Sequence, residues 1–272
     1  MTVLLQISDT HFGTERDHVA LALLKLAQQL KPAALIFSGD VTQRARRSQF
    51  AAAREFVERI AAPAVIAIPG NHDIPLFNVF ARAFYPYAGF ERAFGKQLAP
   101  EWQSDEFLVT AVNTTRRYRH KDGEVSAEQI DSVAERLRAA TDQQLRVVVT
   151  HQPVHVLQGS EVHNRLYGHE EAITRWAQAG ADIIMGGHIH LPYIAPLHEH
   201  YPQLPRRCWV VQAGTAVSSR VRKKHPNSVN VIRRSQPLEC IAERWDYHAD
   251  DNAFTCVKIE QLHLQRAKKH KI

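Results

Sequence analysis

Cysteine is scarce in this 272-residue chain: Cys208, Cys240 and Cys256 are odd in number, widely spaced and form no Cys-x-x-Cys pair. That argues against both a disulfide framework and a zinc ribbon and leaves packed or surface thiols. No apolar run approaches the roughly 20 residues of a membrane span. The short stretch after Met1 has neither the positive start nor the cleavage site of a secretory signal. The expectation is a soluble, cytoplasmic protein without a transmembrane segment. There is no low-complexity segment, and no internal repeat beyond an alternation of strand-like and helix-like stretches. With 44% hydrophobic residues the chain can bury a full core, so residues 1–272 read as one domain, near the size at which domains begin to divide. The net charge of +6 suits a phosphate-bearing partner, yet composition does not separate nucleotide, nucleic acid and anionic lipid.

What the chain does have is five apolar runs that each end in residues able to bind a metal. Val3 to Ile7 leads to Asp9 and His11, Ala33 to Phe37 to Asp40, and Ala64 to Ile68 to Asn71, His72 and Asp73. Val147 to Val149 leads to His151, and Ile183 to Met185 to His188 and His190. Short β-branched runs bounded by Gly, Pro and Ser read as buried strands, so each polar cluster sits where a strand stops. If the strands lie side by side in one sheet, all five clusters meet along one edge, where open α/β sheets place their ligands.

The intervening stretches have helical periodicity. Asp17 is positioned to cap a helix with Val19, Leu23, Leu26 and Leu30 on one face, and a second helix begins near Ser48 with Phe50, Ala53, Val57 and Ile60 inward. Asp40 lies 29 residues after His11 and Asn71 lies 31 after Asp40, an interval that suits one βαβ unit of roughly 30 residues. A capping box from Ser126 to Gln129 opens another helix, and Gly180 stops one that carries Ile173 and Trp176. Residues 75–102 are rich in aromatics and read as a lid, a loop or short helices over the site, or as packing against a sheet edge. From Trp209 onward, alternating runs suggest an antiparallel second sheet, followed by a basic, solvated tail from His263.

Asp9 and His11 project to one side of an extended strand end. Asp40, in the middle of three strand ends, has two carboxylate oxygens and can bridge two cations. Asn71 adds an amide oxygen, and His151, His188 and His190 add imidazoles. Carboxylate and imidazole without thiolate suit manganese, iron or zinc rather than calcium or copper(I). Two adjacent divalent ions economically explain seven ligands. Singly, each motif is weak, because Asp-x-His or Gly-Asp also caps turns and histidine is abundant here; the ordered set is strong.

Asp9-Thr10-His11, Gly39-Asp40, Gly70-Asn71-His72-Asp73, His151 and Gly187-His188-Ile189-His190, in that order, resemble the signature of the calcineurin-like metallophosphoesterase family. The resemblance implies a four-layer α/β sandwich of two mixed β-sheets flanked by helices, with a binuclear metal site. It implies that Asp9, His11, Asp40 and His190 hold one ion and Asp40, Asn71, His151 and His188 the other. His72 is then free to act on the leaving group, with Asp73 either its orienting partner or a helix cap. Two such ions can lower the pKa of a bridging water and stabilise in-line displacement at phosphorus.

Within the family the chain most resembles class III cyclic-nucleotide phosphodiesterases. Enzymes that hydrolyse UDP-diacylglucosamine usually have arginine where His72 stands. The expectation is therefore hydrolysis of a small phosphodiester, with cAMP or cGMP leading. Phosphomonoesterase, nucleotide-lipid pyrophosphatase and DNA nuclease are the alternatives within the family. A nucleic-acid-binding module would have shed ligands, and none of the seven is missing. Basic residues that could reach substrate are Arg44, with Arg46 and Arg47 beside it, and Arg220 and Arg222 with Lys223, Lys224 and Asn227; Arg116, Arg117, Arg119 and Lys121 form a further cluster.

Overall fold

The computed structural model describes residues 2–222, 225–236 and 239–266. The chain runs β1 (Thr2–Ile7), α1 (Asp17–Leu30), β2 (Ala34–Ser38), α2 (Arg47–Ile60), β3 (Ala64–Ile68), α3 (Val79–Phe84), α4 (Ala88–Phe94), β4 (Glu101–Gln103) and β5 (Phe107–Ala111). It continues through α5 (Ala127–Ala139), β6 (Leu145–Val149), α6 (His169–Ala179), β7 (Ile183–Gly186), β8 (Tyr193–Pro196), α7 (Leu197–His200) and β9 (Trp209–Gln212). The last strands are β10 (Ser228–Gln236), β11 (Glu239–His248) and β12 (Ala253–His263).

These strands form two mixed sheets, ordered β12-β11-β10-β1-β2-β3 and β4-β5-β6-β7-β9-β8. β1, β2 and β3 are parallel, as are β5, β6, β7 and β9. Successive side chains of a strand face opposite sides, and here both sides are dry. Leu5, Ile7, Leu35 and Phe37 pack under α1 and α2, while Leu4 and Ile36 meet Val109, Val147, Val149 and Met185 between the sheets. Val148 and Ile184 turn outward to α5 and α6. Burial on both faces explains why these strands read as unbroken apolar runs, and it yields the four-layer sandwich expected from the sequence.

Three expectations change. The five metal-binding clusters do not share one sheet, because β1, β2 and β3 belong to the first and β6 and β7 to the second. The late antiparallel strands do not build the second sheet: β9 joins it parallel to β7, whereas β10, β11 and β12 extend the first sheet through β1. Alternation fixes the faces of a strand but not its neighbour, so periodicity could not make that choice. Asp17 is the first residue of α1 and makes no cap; Arg16 occupies the cap position.

Elsewhere the reading holds. Ser126 and Gln129 form the capping box of α5, and Gly180 ends α6 in the left-handed conformation. The 75–102 segment contains α3, α4 and β4, with Phe90 buried and Phe77, Phe80, Phe84 and Tyr85 exposed. His263 ends β12, and Arg266 reaches Asp182 at 2.7 Å, so this part of the tail is engaged; residues 267–272 lie outside the described set. All three cysteines are free, Cys208 and Cys240 buried. Among the described residues, no helix is long and apolar enough to cross a membrane.

Trp176 is fully buried in the core under the second sheet and donates its indole N–H to the Ile130 carbonyl at 3.2 Å, linking α6 to α5. Trp176→Ala is expected to destabilise the protein by about 3–5 kcal/mol, the range for a large aromatic removed from a core. Denaturant unfolding measures it, and a loss under about 1 kcal/mol would mean that the two helices do not depend on this contact.

Candidate metal centre

The two sheets are tied together directly beneath the strand ends. Gln6 on β1 donates to Ser38 Oγ at 3.0 Å and to the Gly186 carbonyl of the other sheet at 3.1 Å. Asn230 donates to Gln6 Oε1 at 2.9 Å and to the Gln212 carbonyl at 3.2 Å. This buried bridge fixes how far the ends of β1 and β2 stand from those of β6 and β7.

At those ends the backbone turns sharply. Asp9, His11, Asp40, His188 and His190 all have positive φ, from 43° to 74°. A non-glycine residue in this region costs roughly 1–3 kcal/mol, and such residues gather at functional sites. Gly70 and Gly187 make the close approach possible. A Cβ on Gly70 would lie 2.1 Å from the Asp40 backbone nitrogen, and one on Gly187 would lie 2.7 Å from Asp9 Oδ2.

Two nests of ligand atoms result. In one, His190 Nε2 lies 3.3 Å from Asp9 Oδ1 and 3.0 Å from His11 Nε2. In the other, His151 Nε2 lies 3.3 Å from both Asp40 Oδ1 and Asn71 Oδ1, and His188 offers a ring nitrogen within 4.8 Å. Asp40 joins them, since its Oδ2 is 3.7 Å from His11 Nε2. His72 also brings a ring nitrogen within 4.8 Å of His11 and Asp40. All seven residues expected as ligands are thus brought together.

The imidazoles are oriented from behind. His151 Nδ1 donates to the Ser38 carbonyl at 2.9 Å and His190 Nδ1 to the Arg220 carbonyl at 2.7 Å, which aims each Nε2 at the carboxylates of the ligand nests. This is the arrangement of a metal-ligating histidine. Burial lowers His11 and His188 to about 3 despite the neighbouring carboxylates, so both are neutral, as ligation requires. Burial opposes charge on His151 as well, but Asp40 pushes it up to about 9. For Asp40, too, burial works against the ionised form, yet His151, His72 and His11 hold it well below the usual carboxylate range. A carboxylate and imidazole donor set with ring nitrogens and oxygens converging at 3.0 to 3.7 Å fits divalent cations.

Asp73 does not orient His72. It is buried, and its carboxylate accepts from the backbone N–H groups of Val41, Thr42 and Gly70 at 3.0, 2.8 and 2.8 Å and from Thr42 Oγ1 at 2.8 Å. The cap alternative is the observed one, enlarged into a tie between two strand-end loops. Burial and nearby Asp40 raise it to about 7 against those donors. His72 is positioned instead by Gln43, whose carbonyl accepts from Nδ1 at 3.0 Å. Its Nε2 lies 3.3 Å from Arg220 Nη1.

A 290 Å³ cavity opens over the cluster, lined in part by Asp40, Asn71, His72, Arg220 and Arg222. Arg220 reaches it because the loop after β9 crosses to the first sheet, where Thr215 Oγ1 donates to the Asp9 carbonyl at 2.8 Å. Arg222 is held by Glu161 at 2.8 Å. Arg44 does not line this cavity; it lies over the Phe77 ring. Asn227 is buried and binds the loop carbonyls of Thr215 and Ser218, so it supports the loop rather than facing the cavity. Arg116 and Arg119 pair with Glu124, whereas Lys121 lines the cavity. Lys223 and Lys224 lie outside the described residues. Sequence reasoning missed His163 and Asn164, which also line the cavity. They sit on the short turn Gly159–Asn164, which follows no strand and so has no pattern by which to find it.

Residues 2–192 match the calcineurin-like phosphoesterase family, and the chain belongs to it. It is a metallophosphoesterase by fold, a hydrolase of phosphoester bonds by family, and it carries candidate ligands for the two metals on which the family depends. One curated relative, 25% identical over 204 residues covering 69% of this chain and 71% of the relative, is the probable glycerophosphodiester phosphodiesterase GpdQ of Arcobacter nitrofigilis. Among solved structures, purple acid phosphatase PPD1 from yellow lupin aligns with a TM-score of 0.71 at 13% identity, over 94% of this chain and 52% of the lupin protein. The chain thus spans about half the length of that protein. A dimetal phosphatase from Danio rerio aligns with a TM-score of 0.67 at 12% identity, over 97% of this chain and 99% of its own.

Asp73→Ala strands three buried backbone donors, each costing about 1–3 kcal/mol when unpaired. The expected outcome is a stability loss of at least about 3 kcal/mol in chemical denaturation. A protein of unchanged stability would show that the two loops are held without this carboxylate.

Proposed function

We propose that the chain is a two-metal phosphodiesterase in which Asp9, His11, Asp40 and His190 hold one divalent ion and Asp40, Asn71, His151 and His188 the other. The observation that carries this reading is the Asp40 carboxylate, with Oδ1 toward His151 and Oδ2 toward His11. Manganese and iron are the first metals to test, and zinc also suits the donors. Such ions, when bound, activate water and stabilise charge on the phosphoryl oxygens.

The chain's own residues handle the rest. Arg220 and Arg222 supply positive charge at the cavity wall, where the diester phosphate binds. His72 acts on the leaving oxygen through Nε2, because Gln43 occupies its other nitrogen. Arg220 sits against that same Nε2 in the free protein. Phosphate oxygens compete for the guanidinium and free Nε2, which takes up a proton from solvent and passes it to the departing alkoxide. The relative named as a glycerophosphodiester phosphodiesterase supports a diester substrate. Cyclic AMP and cyclic GMP are the leading small diesters, and a cavity of 290 Å³ limits what can be enclosed.

Asp40→Ala is expected to lose both ions and Asp9→Ala mainly one, as metal analysis of purified variants will read; two ions retained by Asp40→Ala at wild-type affinity contradict the bridge. His72→Ala should keep its metal and lose about 100-fold to 10,000-fold in turnover on a diester with a poor leaving group. Near-normal turnover removes His72 from the reaction. The reaction class is tested on manganese-reconstituted protein with cyclic nucleotides, linear diesters, monoesters, nucleotide-lipid pyrophosphates and single-stranded DNA. Turnover of monoesters alone would sink the diester reading.

A further inference from the structure

Beside the metal centre, Phe77, Val79, Phe80, Phe84 and Tyr85 stand 61% to 80% exposed on and around α3. Neighbouring apolar side chains this exposed mark an interaction surface rather than ordinary surface scatter. The Phe80 and Phe84 ring centroids are 4.8 Å apart, and Phe80 is 6.3 Å from Tyr85, so the rings make one joined apolar knob. Phe77 and Tyr85 also line a groove of about 700 Å³ whose other walls include Arg44, Arg46, Arg47 and Arg92. All four arginines are exposed, and no carboxylate lines the groove.

We propose that this face docks on an anionic lipid surface, the aromatic knob entering the headgroup and acyl boundary and the arginines binding lipid phosphates. An apolar edge flanked by cations is the combination that holds interfacial elements at such membranes. Charge argues against a second copy of this chain as occupant, because a two-fold contact through the patch would set four arginines against four. Ring geometry argues against single-stranded nucleic acid, which needs separate platforms for successive bases, whereas these rings lean on one another at 43° and 51° as a single cluster. The face is also continuous with the metal centre: Arg44 and Leu76 line both the groove and a small cleft that Asn71 and His72 complete. Docking therefore sets the membrane beside the cleft of Asn71 and His72, two residues that also line the cavity. The proposal concerns where the protein sits and is independent of which phosphoester it cleaves.

Co-sedimentation of the full chain with phosphatidylcholine vesicles, with and without phosphatidylglycerol, tests it. The wild type is expected to pellet with the phosphatidylglycerol vesicles and to be released by salt, which screens the arginines. Phe80→Ser with Phe84→Ser should lower the partition coefficient at least about tenfold, since each exposed phenyl gains by leaving water. Its thermal unfolding should be unchanged, because both side chains are exposed. Reversing Arg46, Arg47 and Arg92 to Glu should abolish the preference for phosphatidylglycerol. A wild type that stays in the supernatant overturns the proposal, as does pelleting indifferent to both variants. Binding of a single-stranded oligonucleotide that the same variants abolish, without vesicle binding, assigns the face to nucleic acid and overturns it too. The readout is partition and not turnover, so failure here leaves the phosphodiesterase reading untouched, and the reverse also holds.

Discussion

Everything at the ligand-bearing strand ends of this protein depends on keeping Asp9 and Asp40 ionised where almost no water reaches them. Burying a carboxylate costs several kcal/mol unless partners replace its hydration. Here the replacement is layered. The His188 backbone N–H donates to Asp9 at 3.0 and 3.1 Å, and the His72 backbone N–H donates to Asp40 at 2.8 Å. Imidazoles surround the remaining oxygens. Left-handed turns at five of the seven converging residues then make sense as the conformation that points both backbone N–H and side chain into the same small space. The glycines at 70 and 187 keep that space open, and the Gln6 and Asn230 bridge between the sheets sets its width.

Much of this was legible in the sequence because two physical rules act at the same residues. A parallel strand covered on both faces is apolar almost throughout, Gln6 being the exception in β1, and it stops where polar groups are needed. Asp9, Asp40, Asn71, His151 and His188 each stand just past such a stop, so their convergence could be read without coordinates. Sheet membership was another matter. The alternation of β10 through β12 is equally compatible with either sheet, and only the antiparallel pairing of β10 with β1 decides it. Asp73 shows a second limit. Its neighbours in sequence suggested service to His72, but its four hydrogen bonds tie two loops, and three of those partners are backbone groups that carry no signature of their own.

The basic residues divide in a way composition could not anticipate. Arg220 enters the cavity because its loop is pinned to the Asp9 carbonyl through Thr215, and Arg222 enters it tethered to buried Glu161. Arg116 and Arg119 are occupied by Glu124. Arg44 stays out of the cavity and lies over the ring of Phe77. Net charge therefore describes at least three separate regions: a wall of the cavity, a set of part-buried ion pairs, and the aromatic groove. The Glu161 to Arg222 pair also draws the turn carrying His163 and Asn164 to the cavity rim, so one ion pair couples two elements that sequence reasoning treated separately.

The distance along the chain between the two halves of the site has a kinetic meaning. His11 and His190 are 179 residues apart in sequence yet 3.0 Å apart in space. Contacts of such long range close slowly, because a large loop must be ordered before they give anything back. The ligand nests cannot form before the two sheets meet, since neither sheet alone holds both Asp9 and His188. Docking of the sheets is the event that creates the centre. A cation that binds only the finished arrangement stabilises the native state by mass action. If that contact is absent from the folding transition state, the cation acts chiefly by slowing unfolding, and metal supply then governs the lifetime of the folded molecule more than the speed at which it is reached.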